Sequence, residues 1–212
     1  DYRNRLAPLS QRFSKVLAFE GEWGFGPDDG VLTDRTSLQT ILETLKNRYG
    51  GDEFDFIHKK IATIEELNFY LKRSLGKKKE LGLGEYDVLI FDFHGNKEGN
   101  IEFGDKWINL KGFGEYLEDE LQLGETCLRD KVVIFGSCYI AQNTESIKAF
   151  KKETGAVAVV AFTEVVDWVE GAAFYLLLLD WLRIYQGIKT VKKKIEECYP
   201  TFSERLGMLF EI

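Results

Sequence analysis

Two short stretches of the 212-residue chain carry the residue types that can do covalent chemistry. An apolar run from Val88 leads through Asp92 and Phe93 to His94 and Gly95. A second, Val132 to Phe135, leads through Gly136 and Ser137 to Cys138. His94 lies six residues after Val88 and Cys138 six residues after Val132. If the two runs are neighbouring parallel strands, imidazole and thiol leave the sheet at one height, on the carboxyl edge where open α/β sheets place their sites. Adjacent strands stand about 4.7–4.9 Å apart, so the ring can reach the sulfur with a small adjustment of the strand ends. A thiol is mostly protonated near neutral pH. A neighbouring imidazolium populates the thiolate, which is the nucleophilic form. The same histidine can protonate a departing amine, general-acid work worth roughly 10²–10⁴-fold in rate. Gly95 and Gly136 allow a close backbone approach, and the amides of Gly95 and Cys138 are candidate oxyanion donors.

Taken singly, neither residue would carry a function. A cysteine on an apolar strand is usually inert packing, and a histidine at a strand end is often a hydrogen-bonded loop residue. The matched placement on successive strands is what favours chemistry. His58, in the middle of a β-like run, reads as a surface or hydrogen-bonded histidine. Cys127, before the fourth strand, and Cys198, in a terminal helix, have no predicted histidine beside them and read as non-catalytic. Asp92 is unusual in an apolar strand and suggests a hydrogen-bonded role or one orienting His94.

The elements that must position this pair follow from periodicity. Apolar runs at Val16–Phe19, Phe54–Ile61, Asp87–Phe93, Val132–Phe135 and Ala156–Phe162 read as strands. Between them lie helical patterns. Leu38, Ile41, Leu42 and Leu45 share one face, with Thr33 and Asp34 as candidate caps and Gly50-Gly51 as a stop. Thr63 and Glu66 have capping-box spacing, opening a helix that stops near Gly76. Short helical stretches are expected from about Phe113 to Leu121 and from Thr144 to Lys152, and a deeply buried helix from Gly171 to Tyr185. Ile101–Phe103 and Lys106–Ile108 flank Gly104-Asp105, a two-residue hairpin signal. The final Met208–Ile212 reads equally as a sixth edge strand or as the stub of a further segment. Continuous apolar runs alternating with helices imply a mostly parallel sheet covered on both faces, a doubly wound three-layer α/β/α fold.

Composition is compatible with one domain: apolar residues make up 44% and charged residues 30%, as in ordinary globular proteins. The net charge of −7 argues against a nucleic-acid partner. The lysine runs at 77–79 and 192–194 read as solvated faces. Three cysteines without paired spacing fit a reducing, cytoplasmic setting. The longest apolar run, Ala172–Leu179, is too short to cross a bilayer, so no membrane association is expected. No metal is expected from two distant histidines, and no nucleotide cofactor without a Gly-rich phosphate loop. The chain opens at Asp1 without a methionine, which leads one to expect a piece of a longer protein.

Strand-His-Gly, then strand-Gly-Ser-Cys, then an apolar strand ending in Asp167-Trp168, resembles the caspase-like clan of cysteine peptidases, especially its bacterial CHAT branch. The resemblance covers roughly residues 14–186, and the two catalytic segments are its specific part. It implies a caspase-hemoglobinase fold with strand order near 2-1-3-4-5(-6) and a β-hairpin inserted after the third strand. It also implies a cysteine endopeptidase needing no cofactor, with His94 as general acid/base, Cys138 as nucleophile, and an oxyanion hole at the amides of Gly95 and Cys138. The segment departs from true caspases, whose cysteine follows Gln-Ala where this chain has Gly136-Ser137, and no arginine closes the first strand. Aspartate specificity is therefore not supported. The rims after strands one and five instead offer Glu20, Glu22, Trp23, Glu164, Asp167 and Trp168 to a substrate side chain. Relatives of this kind often act in bacterial stress, cell-death or antiviral defence pathways. The expected partners are a protein substrate and either a regulatory protein or a second copy that relieves latency, with loops 96–100 and 163–170 placed to respond. Two rival readings are a catalytically silent caspase-like interaction module and a flavodoxin-like ligand-binding domain.

Overall fold

Strands whose residues are apolar on both faces need cover on both sides, and this chain supplies helices for each. A computed structural model describes residues 13–21, 37–75, 86–103, 106–124 and 126–212. Among the described residues, six strands form one sheet: β1 (Lys15–Glu20), β2 (Asp55–Lys60), β3 (Val88–Asp92), β6 (Val132–Phe135), β7 (Ala158–Phe162) and β8 (Met208–Glu211), in the order β2-β1-β3-β6-β7-β8. All pairings are parallel except β7 with β8. Strands β4 (Asn100–Phe103) and β5 (Lys106–Asn109) make a separate antiparallel hairpin between β3 and β6 in the chain. The expected turn residues Gly104-Asp105 lie outside the described residues.

Register explains how the core divides. Val16, Val88, Val132 and Ala158 are direct partners across four strands, and all four face one core with α1 (Leu38–Tyr49), α5 (Trp168–Ile184) and α6 (Ile188–Cys198). One residue further along, Leu17, Leu89, Val133 and Val159 face the opposite core. There they meet α2 (Ile64–Leu75), α3 (Leu110–Glu115), α4 (Thr144–Thr154) and the hairpin's Ile101 and Phe103. A stacked row of Phe19, Phe91 and Phe135 crosses that second face, with centroids 5.8 and 5.5 Å apart, and Phe113 and Phe150 close over it. Such ring pairs contribute about 0.5–1.5 kcal/mol each beyond their buried area.

Several boundaries differ from the sequence reading for local reasons. Thr33 and Asp34 lie outside the described residues; the described cap of α1 is Ser37, whose hydroxyl accepts from the Gln39 amide. The capping box is offset: Thr63 Oγ1 accepts from the Glu66 amide, while the Glu66 carboxylate accepts from Ala62 N–H at 2.8 Å rather than from Thr63 itself. The short helix expected at Phe113–Leu121 begins earlier, because the Asn109 side chain caps it, and its second half is a π turn over Tyr116–Glu120. Helix α5 begins at Trp168 rather than Gly171 because Asp167 caps it through the Val169 amide. The tail is a strand: Gly207, at φ +57°, turns the chain from α7 (Pro200–Leu206) into β8, which pairs with β7. No helix among the described residues is long and apolar enough to cross a membrane.

Candidate active site

The β3–β6 register runs from Val88↔Val132 to Phe91↔Phe135. Three residues past the last pair on each strand come His94 and Cys138, so the two residues stand at equivalent positions beyond the ends of neighbouring parallel strands. Beyond the strands the two backbones stay close. The Gly136 amide donates to Phe91 O at 2.9 Å, and a β-carbon added at Gly95 would sit 2.7 Å from both Cys138 O and Ser137 Cβ. That approach forbids any side chain at position 95, which is the physical reason for glycine there. His94 is exposed and Cys138 half-buried, the former accessible to solvent and the latter at the mouth of a cavity.

The loop after His94 is fastened to both flanking elements. The Asn143 and Asn109 side-chain amides each donate to Glu98 O at 3.0 Å, and the Leu110 amide donates to Gly99 O. Gly99, at φ +82°, sits where a β-carbon would lie 3.1 Å from Asn143. The same Asn143 caps α4 through the Ser146 amide, so the His94 loop and the helix that follows Cys138 are held by one residue. Directly after Cys138, Tyr139 adopts φ +62°, a costly conformation for a bulky residue. It turns the chain sharply out of β6 toward α4 and leaves the thiol at the apex.

The thiol meets the loop after β7. The Val166 amide donates to Sγ at 3.4 Å, and the thiol lies 4.0 Å from Val166 O. The Tyr139 amide donates to Glu164 O, and Gln142 Nε2 to Thr163 O, so this loop too is bonded to the cysteine turn.

Cys138 opens onto a cavity of about 160 Å³ between the sheet edge, α1 and α5. Leu38, Phe162, Val166 and Trp168 are among its apolar walls, and Gly136, Asp92 and Tyr175 lie at its inner end. The Tyr175 hydroxyl donates to Asp92 Oδ1 at 3.0 Å. A β-carbon at Gly136 would collide with both of those atoms. Burial, then the charge of Glu20, push the Asp92 carboxyl up to about 7, while the Tyr175 hydrogen bond pulls it down. Burial and the same carboxylate push the Tyr175 phenol up.

Of the residues proposed for a substrate side chain, Asp167 and Trp168 line this cavity. Glu164 is exposed and contributes its backbone to the cysteine turn. Glu22 and Trp23 lie outside the described residues. Glu20 is corrected: it does not stand on an open rim but is fully buried, accepting from Ser37 Oγ, from the Leu38 amide and paired with His58 Nε2 at 2.6 Å. That pair accounts for His58 as a hydrogen-bonded residue, joining β1, β2 and the start of α1. Asp92 has the hydrogen-bonded role expected of it, accepting from the Tyr175 hydroxyl where both line the cavity. Tyr175 was not singled out from sequence, since one hydroxyl on a helix apolar all round gives no periodic signal. Among the described residues no group of three or more His, Cys, Asp or Glu side chains is placed to hold a metal ion.

Residues 27–209 match a family described as "Family of unknown function (DUF6642)". The chain belongs to that family. A plant protein, "Phospholipase A1-Ialpha2, chloroplastic" of Arabidopsis thaliana, is 30% identical over 77 residues, 35% of this chain and 16% of that protein. The matched stretch therefore spans about a sixth of the plant protein's length.

Proposed function

We propose that this DUF6642 chain is a cysteine endopeptidase in which Cys138 attacks a peptide carbonyl of a partner protein and His94 serves as general acid/base. The observation that carries the reading is the equal advance of His94 and Cys138 from paired positions on β3 and β6, with Gly95 packed against the backbone of residues 137–138. In the proposed step the Cys138 thiol loses its proton to His94 and its sulfur bonds to the carbonyl carbon. The amides of Gly95 and Cys138 stabilise the oxyanion. Collapse of the tetrahedral intermediate expels the amine, which takes the proton from His94. Water, deprotonated by His94, then releases the acid and regenerates the thiol. The Val166 N–H that points at Sγ supports an anionic sulfur.

The finer fold assignment belongs to the same proposal. The sheet order and the hairpin between β3 and β6 support a caspase-like arrangement of the CHAT type. Cytoplasmic residence, a role in bacterial or antiviral defence, and latency relieved by a partner, self-association or cleavage are parts of the proposal that rest on that resemblance. Neither a nucleic acid nor a membrane enters it.

The partial likeness to a phospholipase raises ester hydrolysis as a second reading. No serine of the chain stands in the Gly-x-Ser-x-Gly arrangement that exposes a nucleophile in serine lipases, and Ser137 is fully buried with its hydroxyl inaccessible. An acyl-transfer site here therefore still points to Cys138. Incubating the chain with a denatured-proteome peptide library, and sequencing the new termini by mass spectrometry, tests the proposal. New termini absent from Cys138→Ala support a peptidase. Release of fatty acid from phospholipid vesicles by the same chain, with no new peptide termini, would replace it with an esterase.

A further inference from the structure

The cavity beside Cys138 has a composition that goes beyond the need for a nucleophile. Its walls are apolar, with Leu38 from α1, Phe162 from β7 and Trp168 from α5, and two acidic residues line it: Asp167, exposed at the rim and capping α5 through the Val169 amide, and Asp92, hydrogen-bonded to Tyr175. At about 160 Å³ it matches the size of engineered cavities that hold a benzene-sized guest, and so admits one long side chain. A carboxylate offers about four lone-pair sites, and Tyr175 uses one of them. Among the described residues, Asp92 accepts that hydrogen bond and takes part in no ion pair. Glu20 is itself held by His58, Ser37 and the Leu38 amide. The sheet edge thus brings two carboxyls close together and pairs only the one outside the cavity with a basic side chain.

Long basic side chains bury an apolar stem and need a polar partner at the tip, which is the complement of this cavity. Resting on the reading of Cys138 as nucleophile, we propose that the cavity receives the side chain of a lysine or arginine on the acyl side of the scissile bond, with Asp92 as the specificity-determining residue and Tyr175 positioning its carboxyl. Gly136 lets Asp92 and Tyr175 pack directly against the β6 backbone, since a side chain there would collide with both. The acid comes from β3 itself, two residues before His94, so the strand that carries the acid/base residue also reads the substrate.

The test uses three peptidyl chloromethyl ketones identical except for the side chain next to the warhead: lysine, its uncharged isostere norleucine, and glutamate. The rate of Cys138 alkylation in the full chain is followed by intact-mass and peptide mass spectrometry. A hydrogen bond to a charged group is worth enough for about a 10–100-fold preference, so the lysine reagent should outpace norleucine by at least about tenfold, with glutamate slowest. In Asp92→Asn the lysine and norleucine rates should converge to within about twofold, and Tyr175→Phe, which keeps the ring, should give an intermediate ratio. Equal rates of Cys138 alkylation by all three reagents in the wild-type chain would overturn the proposal while leaving the nucleophile intact. Failure of every reagent to distinguish Cys138 from Cys127 and Cys198 would overturn both.

Discussion

Replacing Gly95 with alanine probes the junction on which the site depends. The added methyl would lie 2.7 Å from Cys138 O and 2.7 Å from Ser137 Cβ, well inside van der Waals contact. Neither obstacle is the free end of a flexible side chain. One is a backbone carbonyl and the other a β-carbon on a residue with no exposed surface. Relief therefore requires the His94 and Cys138 segments to part by several tenths of an ångström. Overpacking of this kind costs about 1–3 kcal/mol, which for a domain of this size corresponds to about 2–12 °C in Tm. Because the displaced atoms belong to the two segments carrying the pair, peptide cleavage should fall more than tenfold even at temperatures where the variant is fully folded. Circular dichroism melts, paired with cleavage rates at 20 °C, measure both effects. A Gly95→Ala variant melting within 1 °C of wild type, with unchanged cleavage, would show that the strand ends do not abut as described.

Further outcomes follow from the charged interior. Removing His58 leaves Glu20 buried without its basic partner, a loss of about 3–5 kcal/mol, whereas Lys46→Ala removes an exposed pair with Asp55 and a cation–π contact with Phe56 and should cost under about 2 kcal/mol; urea unfolding of the two variants gives the comparison. Asp92 titrates near 7 in the folded chain against about 3.8 when unfolded. The folded state therefore holds the extra proton between those values, and this contribution to stability is complete below about pH 4 and lost as pH rises through about 7. Asp92→Asn should remove that downward slope, as pH-dependent melts will show. Burial pushes the Cys127 thiol up to about 11, so Cys127 should resist iodoacetamide at pH 8 until the chain is unfolded, which peptide mapping can follow.

The α/β architecture was legible because the central parallel strands β1, β3, β6 and β7 are largely apolar on both faces, a pattern that survives without knowledge of their neighbours. Val88 and Val132 mark equivalent positions by themselves, so the common height of His94 and Cys138 could be read from two short segments. Caps were less legible, since Asn109 and Asp167 begin helices only because of where the preceding hairpin and loop deliver the chain. The inside of the site was least legible. Glu20 sits at a strand end that looks open in sequence, yet β2 brings His58 over it and Ser37 closes it. Asp92 and Tyr175 are 83 residues apart, and only the packing of α5 on the carboxyl edge of the sheet joins them.

Activation of Cys138 by His94 is read from iodoacetamide labelling near pH 6, followed by peptide mass spectrometry on wild type and His94→Ala. Cys138 should be modified well ahead of Cys127 and Cys198, and this lead should disappear in the variant while it remains folded by circular dichroism. Equal, slow modification of the exposed Cys198 and of Cys138 in the wild-type chain, unaffected by loss of the imidazole, would contradict it.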